Sequence, residues 1–415
     1  MRIEDLRTEK NGSKVRVAAT VTWEDCDRQA HDVYFETDEP FEEYISCNPD
    51  AFLVGCIVPA MHYGEKRVFI DGEICPQLNT GLTTAMSVLR HWFYPPEKEL
   101  VRIEARVRGK PLNPVRQSGA GFFFSGGIDS FATLRINRLN FPLGHPWSIR
   151  YALLVYGLEL DSPDSFQYVR DSLSALTQET GITVIPVYTN LYLNYRQEDA
   201  LKGFDFWTYE FMGSAFASIA HVFLKRASVF FLASSFDIPN LHPHSMDPLL
   251  NINYDSSDLQ IRSDGIALSR FVKTKLIADW DFAMEHLRVC NQYLRYRSGS
   301  LNCGKCEKCM RTMLALLAVG ALDRTSAFPE RNVTAETVER TVWIKNSYSA
   351  NWYRELLGPL AERGRNDLMH AVEHRIADYL RRKRTDAWKA RVKQIDARYL
   401  NGNLLKLKRK GLGLG

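Results

Sequence analysis

No run of eighteen apolar residues occurs anywhere in this 415-residue chain, which excludes a membrane-spanning helix of ordinary length. The opening Met1-Arg2-Ile3-Glu4-Asp5 does not begin a secretory leader, so the expectation is a cytoplasmic protein with no membrane partner. Cysteine is sparse and unevenly spread, eight in all and none between Lys110 and Val289. In an intracellular chain such thiols point to metal binding or free thiols rather than disulfides. Internal repeats are absent, which argues against a solenoid. So is any G-x-x-x-x-G-K-[ST] segment, which excludes that lysine-bearing phosphate loop. Neither sign of charge dominates, since the net is +4. The balance is uneven, however. From Arg381 onward there are 12 basic and 2 acidic residues, leaving the rest of the chain net negative. Apolar residues make up 45% and charged residues 25%, and a chain of this length buries a large core in two or three domains.

Among what is present, the stretch from Gly121 to Ser130 organises the rest. Gly121-Phe122-Phe123-Phe124 is an apolar run suited to a buried strand of a parallel sheet. Ser125-Gly126-Gly127 then turns, and Ser130 is expected to cap a helix from about Phe131 to Leu139. Strand, glycine turn and helix N-terminus together form a cradle for phosphate, because close backbone amides and the helix dipole favour negative charge. Asp129 beside such an anion is costly unless a cation such as Mg2+ shares the site.

The chain around it reads as three regions. Residues 1–112 are expected to form a β-rich domain with strands at 14–23, 32–37, 51–60, 66–70 and 100–107 and one helix at 80–94. Cys56 there is expected to pack in the core. Pro111 to Ser118 reads as a linker. Residues 119–322 alternate strand and helix, the pattern of an α/β doubly wound parallel sheet. Strands are expected at 121–124, 150–156, 183–188 and 228–233, with helices at 164–180 and 211–225. Ligands in such sheets bind at the carboxyl ends of the strands, which gathers Ser125 to Ser130, Tyr156-Gly157, Tyr188-Thr189 and Ser234 to Asp237 around one crevice. The stiff loop 238–248, with three prolines and two histidines, suits substrate recognition. His242 and His244 are candidates for acid–base work or for holding a metal. A helix is expected to open in the basic stretch 268–277. Residues 323–415 read as a mostly helical, basic extension that would suit nucleic acid or an acidic protein partner.

Cys303-x2-Cys306-x2-Cys309, with Cys290 separated from the first of them by twelve residues, is the second strong signal. Four thiolates make a closed tetrahedral Zn2+ site with no open position, which is structural rather than catalytic; an iron–sulfur cluster is the alternative for such spacing.

Ser125-Gly126-Gly127-Ile128-Asp129-Ser130 resembles the SGGxDS signature of the PP-loop (N-type) ATP pyrophosphatases. That resemblance implies a fold of the adenine nucleotide alpha hydrolase kind and cleavage of ATP between its α- and β-phosphates. It assigns Ser125, Gly126, Gly127, Asp129 and Ser130 to the ATP loop, with Tyr156 bordering the adenine. It also implies a lysine that neutralises phosphate charge: Lys273 is the choice, with Arg270 and Lys275 as rivals. Together with the cysteine knuckle, residues 119–320 are similar to the 7-cyano-7-deazaguanine synthase family. Members adenylate a carboxylate on a 7-deazaguanine acid, pass it to ammonia, and repeat the activation to reach a nitrile. Cys290, Cys303, Cys306 and Cys309 match the zinc ligands of that family, whose members form homodimers.

Three departures mark the chain as a divergent relative, of the sort found in bacterial antiphage and other specialised operons. The gap between Cys290 and Cys303 is longer than in the family, the loop from Asp237 to Pro248 replaces the usual aromatic-proline-aspartate-cysteine segment, and extra segments stand at both ends. The resulting expectation is an ATP-dependent carbon–nitrogen ligase acting on a small carboxylate, with Asp129, Lys273, Asp237 and His242 carrying the chemistry. A PP-loop sulfur transferase acting on tRNA and a non-catalytic nucleotide-binding subunit compete with it. The missing mid-chain cysteine speaks against sulfur transfer, and Arg2 removes the N-terminal cysteine of the glutamine-dependent amidotransferases.

Overall fold

The computed structural model describes residues 1–112, 119–158, 162–196, 206–290 and 300–399. The chain divides into two compact units, Met1–Cys303 with Arg324–Ala327, and Gly304–Asp323 with Phe328–Gly415. No helix among the described residues is long and apolar enough to cross a membrane.

The first unit is α/β and is built on one ten-stranded sheet. In chain order the strands are β1 (Arg2–Asn11), β2 (Lys14–Thr22), β3 (His31–Asp38), β4 (Arg67–Ile74), β5 (Arg102–Val107), β6 (Ala120–Phe123), β7 (Ile149–Tyr156), β8 (Thr183–Thr189), β9 (Val229–Ala233) and β10 (Gln260–Asp264). In space they run β10-β9-β6-β7-β8-β3-β2-β1-β4-β5. Pairing is mostly parallel; among the described residues only β1–β2, β2–β3 and β3–β8 are antiparallel.

Helices cover both faces of the β6 region. Phe124 packs its ring on Phe131 of α3 (Ile128–Asn140), 5.0 Å between centroids, whereas Phe123 points the other way onto Phe216, 4.6 Å, of α6 (Met212–Val222). Alternation along one strand thus feeds two helical layers, which is why the run Gly121–Phe124 is apolar throughout. Gly121 has no room for a side chain, because a Cβ there would stand 2.2 Å from the Phe230 ring.

The sheet does not divide near residue 112. Phe35, Glu36 and Thr37 of β3 pair with Thr189, Tyr188 and Val187 of β8, and the Thr37 hydroxyl donates to the Pro186 carbonyl at 2.7 Å. Arg108, just beyond β5, is buried and donates to Asp50 at 2.7 Å and Asp258 at 2.9 Å. Residues 1–112 therefore share a core with the segment that follows, where the sequence suggested a separate β-rich domain.

Residues 51–60, expected as a strand, lie inside α1 (Pro49–Tyr63), capped by the Asn48 side chain. Every residue from Asp50 to Met61 is buried, and a helix buried all round carries no amphipathic period to betray it. It packs on α6, where the Ser218 hydroxyl donates to Ala51 O at 2.6 Å. The second helix, α2 (Pro76–Phe93), starts earlier than the Asn79-Thr80 cap suggested, with Cys75 at its N-cap. The single helix expected at 164–180 is two, α4 (Pro163–Ser172) and α5 (Ala175–Thr180).

The second unit is helical, with helices Glu307–Val319, Ala335–Thr341, Ser347–Arg354, Leu357–Glu362 and Asn366–Tyr399. Within it the Tyr353 hydroxyl donates to Glu307 at 2.7 Å. Arg382 of the basic stretch Arg381–Arg384 is committed to structure: it lies 3.5 Å from the Trp343 ring centre and donates to Ile344 O at 2.9 Å. Residues 406–410, the other basic stretch, fall outside the described residues.

One position at the sheet's carboxyl edge has no tolerance. Gly157, after β7, has φ +93°, and a Cβ there would meet Thr189 O at 1.9 Å. Gly157→Ala should destabilise the protein by about 2 kcal/mol or more, from left-handed strain and backbone collision combined, as read by denaturant midpoints.

Candidate functional site

The strand order puts a reversal at β6. From β6 the chain adds β7 and then β8 on one side, and then crosses to the other side of β6 to lay down β9 and β10. Open sheets of this order bind ligands at the strand ends where the order reverses, which here lies between the segments following β6 and β9. The glycine loop follows β6, and Ser234 to Asp237 follow β9.

The loop is held chiefly from outside, by Arg288. Gly126 has φ +73°, a left-handed turn suited to glycine. Its carbonyl accepts from Arg288 N–H at 2.7 Å, and the Ser125 carbonyl accepts from the Arg288 guanidinium at 3.2 Å. Gly127 is the N-cap of α3 and gives the first turn no side-chain cap. Ser130, expected as the cap, is instead the third helical residue; its hydroxyl donates to Gly127 O at 3.0 Å.

Asp129, in the first turn of α3, meets two cations from α7 (Arg270–Ile277). Its Oδ2 accepts from Arg270 Nη1 at 2.9 Å and from the Ser235 hydroxyl at 3.2 Å, and its Oδ1 lies 3.6 Å from Lys273 Nζ. Arg270 and Lys273 are three residues apart and so share one face of α7. Lys273 is 1% exposed and also donates to Ser234 O at 2.6 Å. Burial lowers its pKa, and the Asp129 charge opposes that shift. Asp264, at the end of β10, is pushed up by burial against the pull of Thr133 and Lys273. Lys275, the other rival, is exposed, with Nζ 4.7 Å from the Phe271 ring centre.

The rest of the expected set sits around this knot without joining it. Asp237 is 8% exposed and accepts from Asn240 Nδ2 at 2.6 Å. His242 turns Nδ1 to Asn240 O at 2.9 Å and sets its ring against Phe236, 4.5 Å away. The buried His244 accepts from Met246 N–H at Nδ1, 2.9 Å, so its neutral form carries the proton on Nε2. Burial depresses its pKa to about 4. Neither histidine belongs to a group of three or more donors placed to share a metal, among the described residues. Tyr156, at the end of β7, is half-buried between Phe166 and Tyr188.

Two contributors were not singled out from sequence, Arg288 and Asp264; Ser235 lies in the segment Ser234 to Asp237 that the strand-end rule had gathered. Asp264 closes β10, a five-residue strand interrupted by Arg262, which lacks the apolar run that marked the other strands. Arg288 follows a short helix and carries no motif of its own.

The four clustered cysteines do come together. Sγ atoms of Cys290, Cys303, Cys306 and Cys309 all lie within 4.8 Å of one another, and no disulfide joins them. Cys306 and Cys309 sulfurs are 3.5 Å apart, close to the ~3.8 Å edge of a tetrahedron with ~2.3 Å metal–sulfur bonds. Buried Asn302 shapes the approach: its Oδ1 accepts from the amides of Val289 (2.8 Å) and Cys290 (3.2 Å), and its Nδ2 donates to Leu287 O and Ala327 O. Four sulfur donors so close fit a metal such as zinc.

No family profile, curated protein or solved structure matches this chain.

Two measurements follow from this geometry. Freshly purified protein should contain about one Zn2+ per chain by elemental analysis, and Cys306→Ser should lower both zinc content and soluble yield; metal-free, fully folded wild type would contradict the assignment. For His244, the unfolded state binds a proton near pH 6.5 and the native state only near pH 4. Its contribution is therefore fully present above pH 6.5 and is lost as pH falls towards 4. His244→Asn should flatten the fall in unfolding free energy between pH 7 and pH 5.

Proposed function

We propose that this chain is an ATP-dependent carbon–nitrogen ligase of the PP-loop type that adenylates a small carboxylate. The observation that carries the reading is the position of the Ser125–Ser130 loop, which leaves β6 at the reversal of strand order, with a buried lysine and an arginine facing its helix N-terminus. Strands β8-β7-β6-β9-β10 follow the order 3-2-1-4-5 in their own sequence numbering, the order of a doubly wound sheet, which supports the reading. The residues present fit the nucleotide: a left-handed glycine turn, an N-cap without a side chain, two cations and one carboxylate.

In this reading the amides of Gly126, Gly127 and the first turn of α3 bind the phosphates. Lys273 and Arg270 neutralise charge that builds on the departing pyrophosphate. Mg2+, held by Asp129, would supply further neutralisation. A carboxylate oxygen of the acid attacks the α-phosphorus, and the bond to the β-phosphate oxygen breaks. Ammonia or an amine then attacks the acyl carbon, AMP departs, and a proton leaves the new amide nitrogen. His242, whose Nδ1 faces the Asn240 carbonyl, is the candidate acceptor for that proton. Asp237 holds Asn240, and Asn240 orients His242. A second round of activation would give a nitrile, and a 7-deazaguanine-type acid is the first candidate substrate. The operon setting implied for divergent relatives would make the product a specialised or antiphage modification.

Sulfur transfer to tRNA is the weaker reading. No cysteine lies on the strand-end segments 125–130, 156–157, 188–189 or 234–237. Cys56 is fully buried, its thiol pushed up to about 12, which leaves it protonated and inert at neutral pH.

Incubation with ATP, Mg2+ and candidate acids, 7-carboxy-7-deazaguanine first, should release AMP and pyrophosphate only when an acid is present. ADP in the product chromatogram would overturn the mechanism. Gly127→Val should abolish ATP binding by calorimetry, since a side chain there keeps the amides from the phosphates.

A further inference from the structure

We propose that Asp129 acts as an internal counter-ion that excludes metal-free polyphosphate, so that the loop accepts nucleotide only together with a divalent cation. The inference rests on the nucleotide-site reading above and deepens it.

Two cations, Arg270 and Lys273, face the first turn of α3, and the carboxylate of Asp129 contacts both, at 2.9 Å and 3.6 Å. Asp129 is 14% exposed in its side chain and Lys273 1%. At such burial the charges are weakly screened, so a partner lost without replacement is expensive. Asp264 adds a second carboxylate within electrostatic reach of Lys273. These four side chains are neutral in sum when all are ionised.

A bare pyrophosphate arriving at the loop would need the same two cations. It would draw Arg270 and Lys273 away from Asp129 and stand beside a carboxylate left without them. A divalent cation removes the conflict by a change of partners: Asp129 moves from the two side chains to the metal, and the phosphate oxygens take over Arg270 and Lys273. No buried charge is stranded at either end of the exchange. The Ser235 hydroxyl, 3.2 Å from Asp129 Oδ2, and the Ser234 carbonyl, 2.6 Å from Lys273 Nζ, keep both groups in place while partners change. Asp129 is then a specificity-determining residue, selecting the metal complex over the free anion.

The test is calorimetric binding of inorganic pyrophosphate to the full chain, with and without Mg2+. Wild type should bind metal-free pyrophosphate weakly and gain affinity when Mg2+ is added. Asp129→Asn keeps the shape and removes the charge. It should bind metal-free pyrophosphate about tenfold tighter than wild type or better, and gain little from Mg2+. Adding Arg270→Gln to the Asp129→Asn variant should reverse that tightening, which a general loosening of the fold would not do. Should Asp129→Asn fail to fold, wild type alone decides: equal affinity with and without Mg2+ overturns the proposal. Unchanged or weaker metal-free binding by a folded Asp129→Asn also overturns it, even if wild type makes AMP. If neither protein binds pyrophosphate under any condition, the nucleotide-site reading fails and takes this inference with it.

Discussion

The buried ammonium of Lys273 is the constraint on which the candidate site depends. A charge at 1% exposure costs several kcal/mol in lost hydration unless its surroundings replace the water. Its replacements come from three different places in the chain: Asp129 on α3, the Ser234 carbonyl after β9, and Asp264 at the end of β10. One charge thereby draws together the ends of two strands and the starts of two helices. Gly265, with φ +73°, lets the lysine pass, for a Cβ there would come within 3.0 Å of Lys273 Cε. Geometry at the crevice is thus set by an electrostatic requirement as much as by the packing of the sheet.

Around that knot the sheet provides the frame. Phe122, Phe123 and Phe124 load both faces of β6, so the strand is fixed in depth and rotation before the chain reaches Ser125. Arg288 then fastens the loop through its backbone and its guanidinium. The turn is held from outside, and its amides do not have to hold one another.

Much of this frame was legible in the sequence, and the reasons differ by element. Apolar β6, β7, β8 and β9 announced themselves because strands buried on two faces must be apolar along their length. Cysteine spacing exposed the sulfur cluster because short C-x2-C intervals put thiols within reach of each other in almost any turn. Helix α1 was hidden by the same rule that revealed the strands: burial on all sides erases periodicity, and Ala51 to Ala60 could be read either way. The union of residues 1–112 with the parallel sheet was invisible because it depends on one edge pairing, β3 with β8, that no local pattern encodes. Asp264 and Arg288 were missed for a similar reason, since each owes its place to a partner far away in the chain.

That edge pairing also has a meaning in time. Thr37 and Pro186 are 149 residues apart, so at ~5–20 residues per second a ribosome needs roughly 7–30 s to deliver β8 after β3. Throughout that interval the β3 edge of the β1–β3 meander stays open, with backbone amides and carbonyls that only a later strand can satisfy. The nascent chain must keep that edge from other strands until its own arrives. Long-range pairings of this kind slow folding and lengthen exposure to aggregation. Expression rate and temperature would therefore govern the yield of this protein through a step remote from its chemistry.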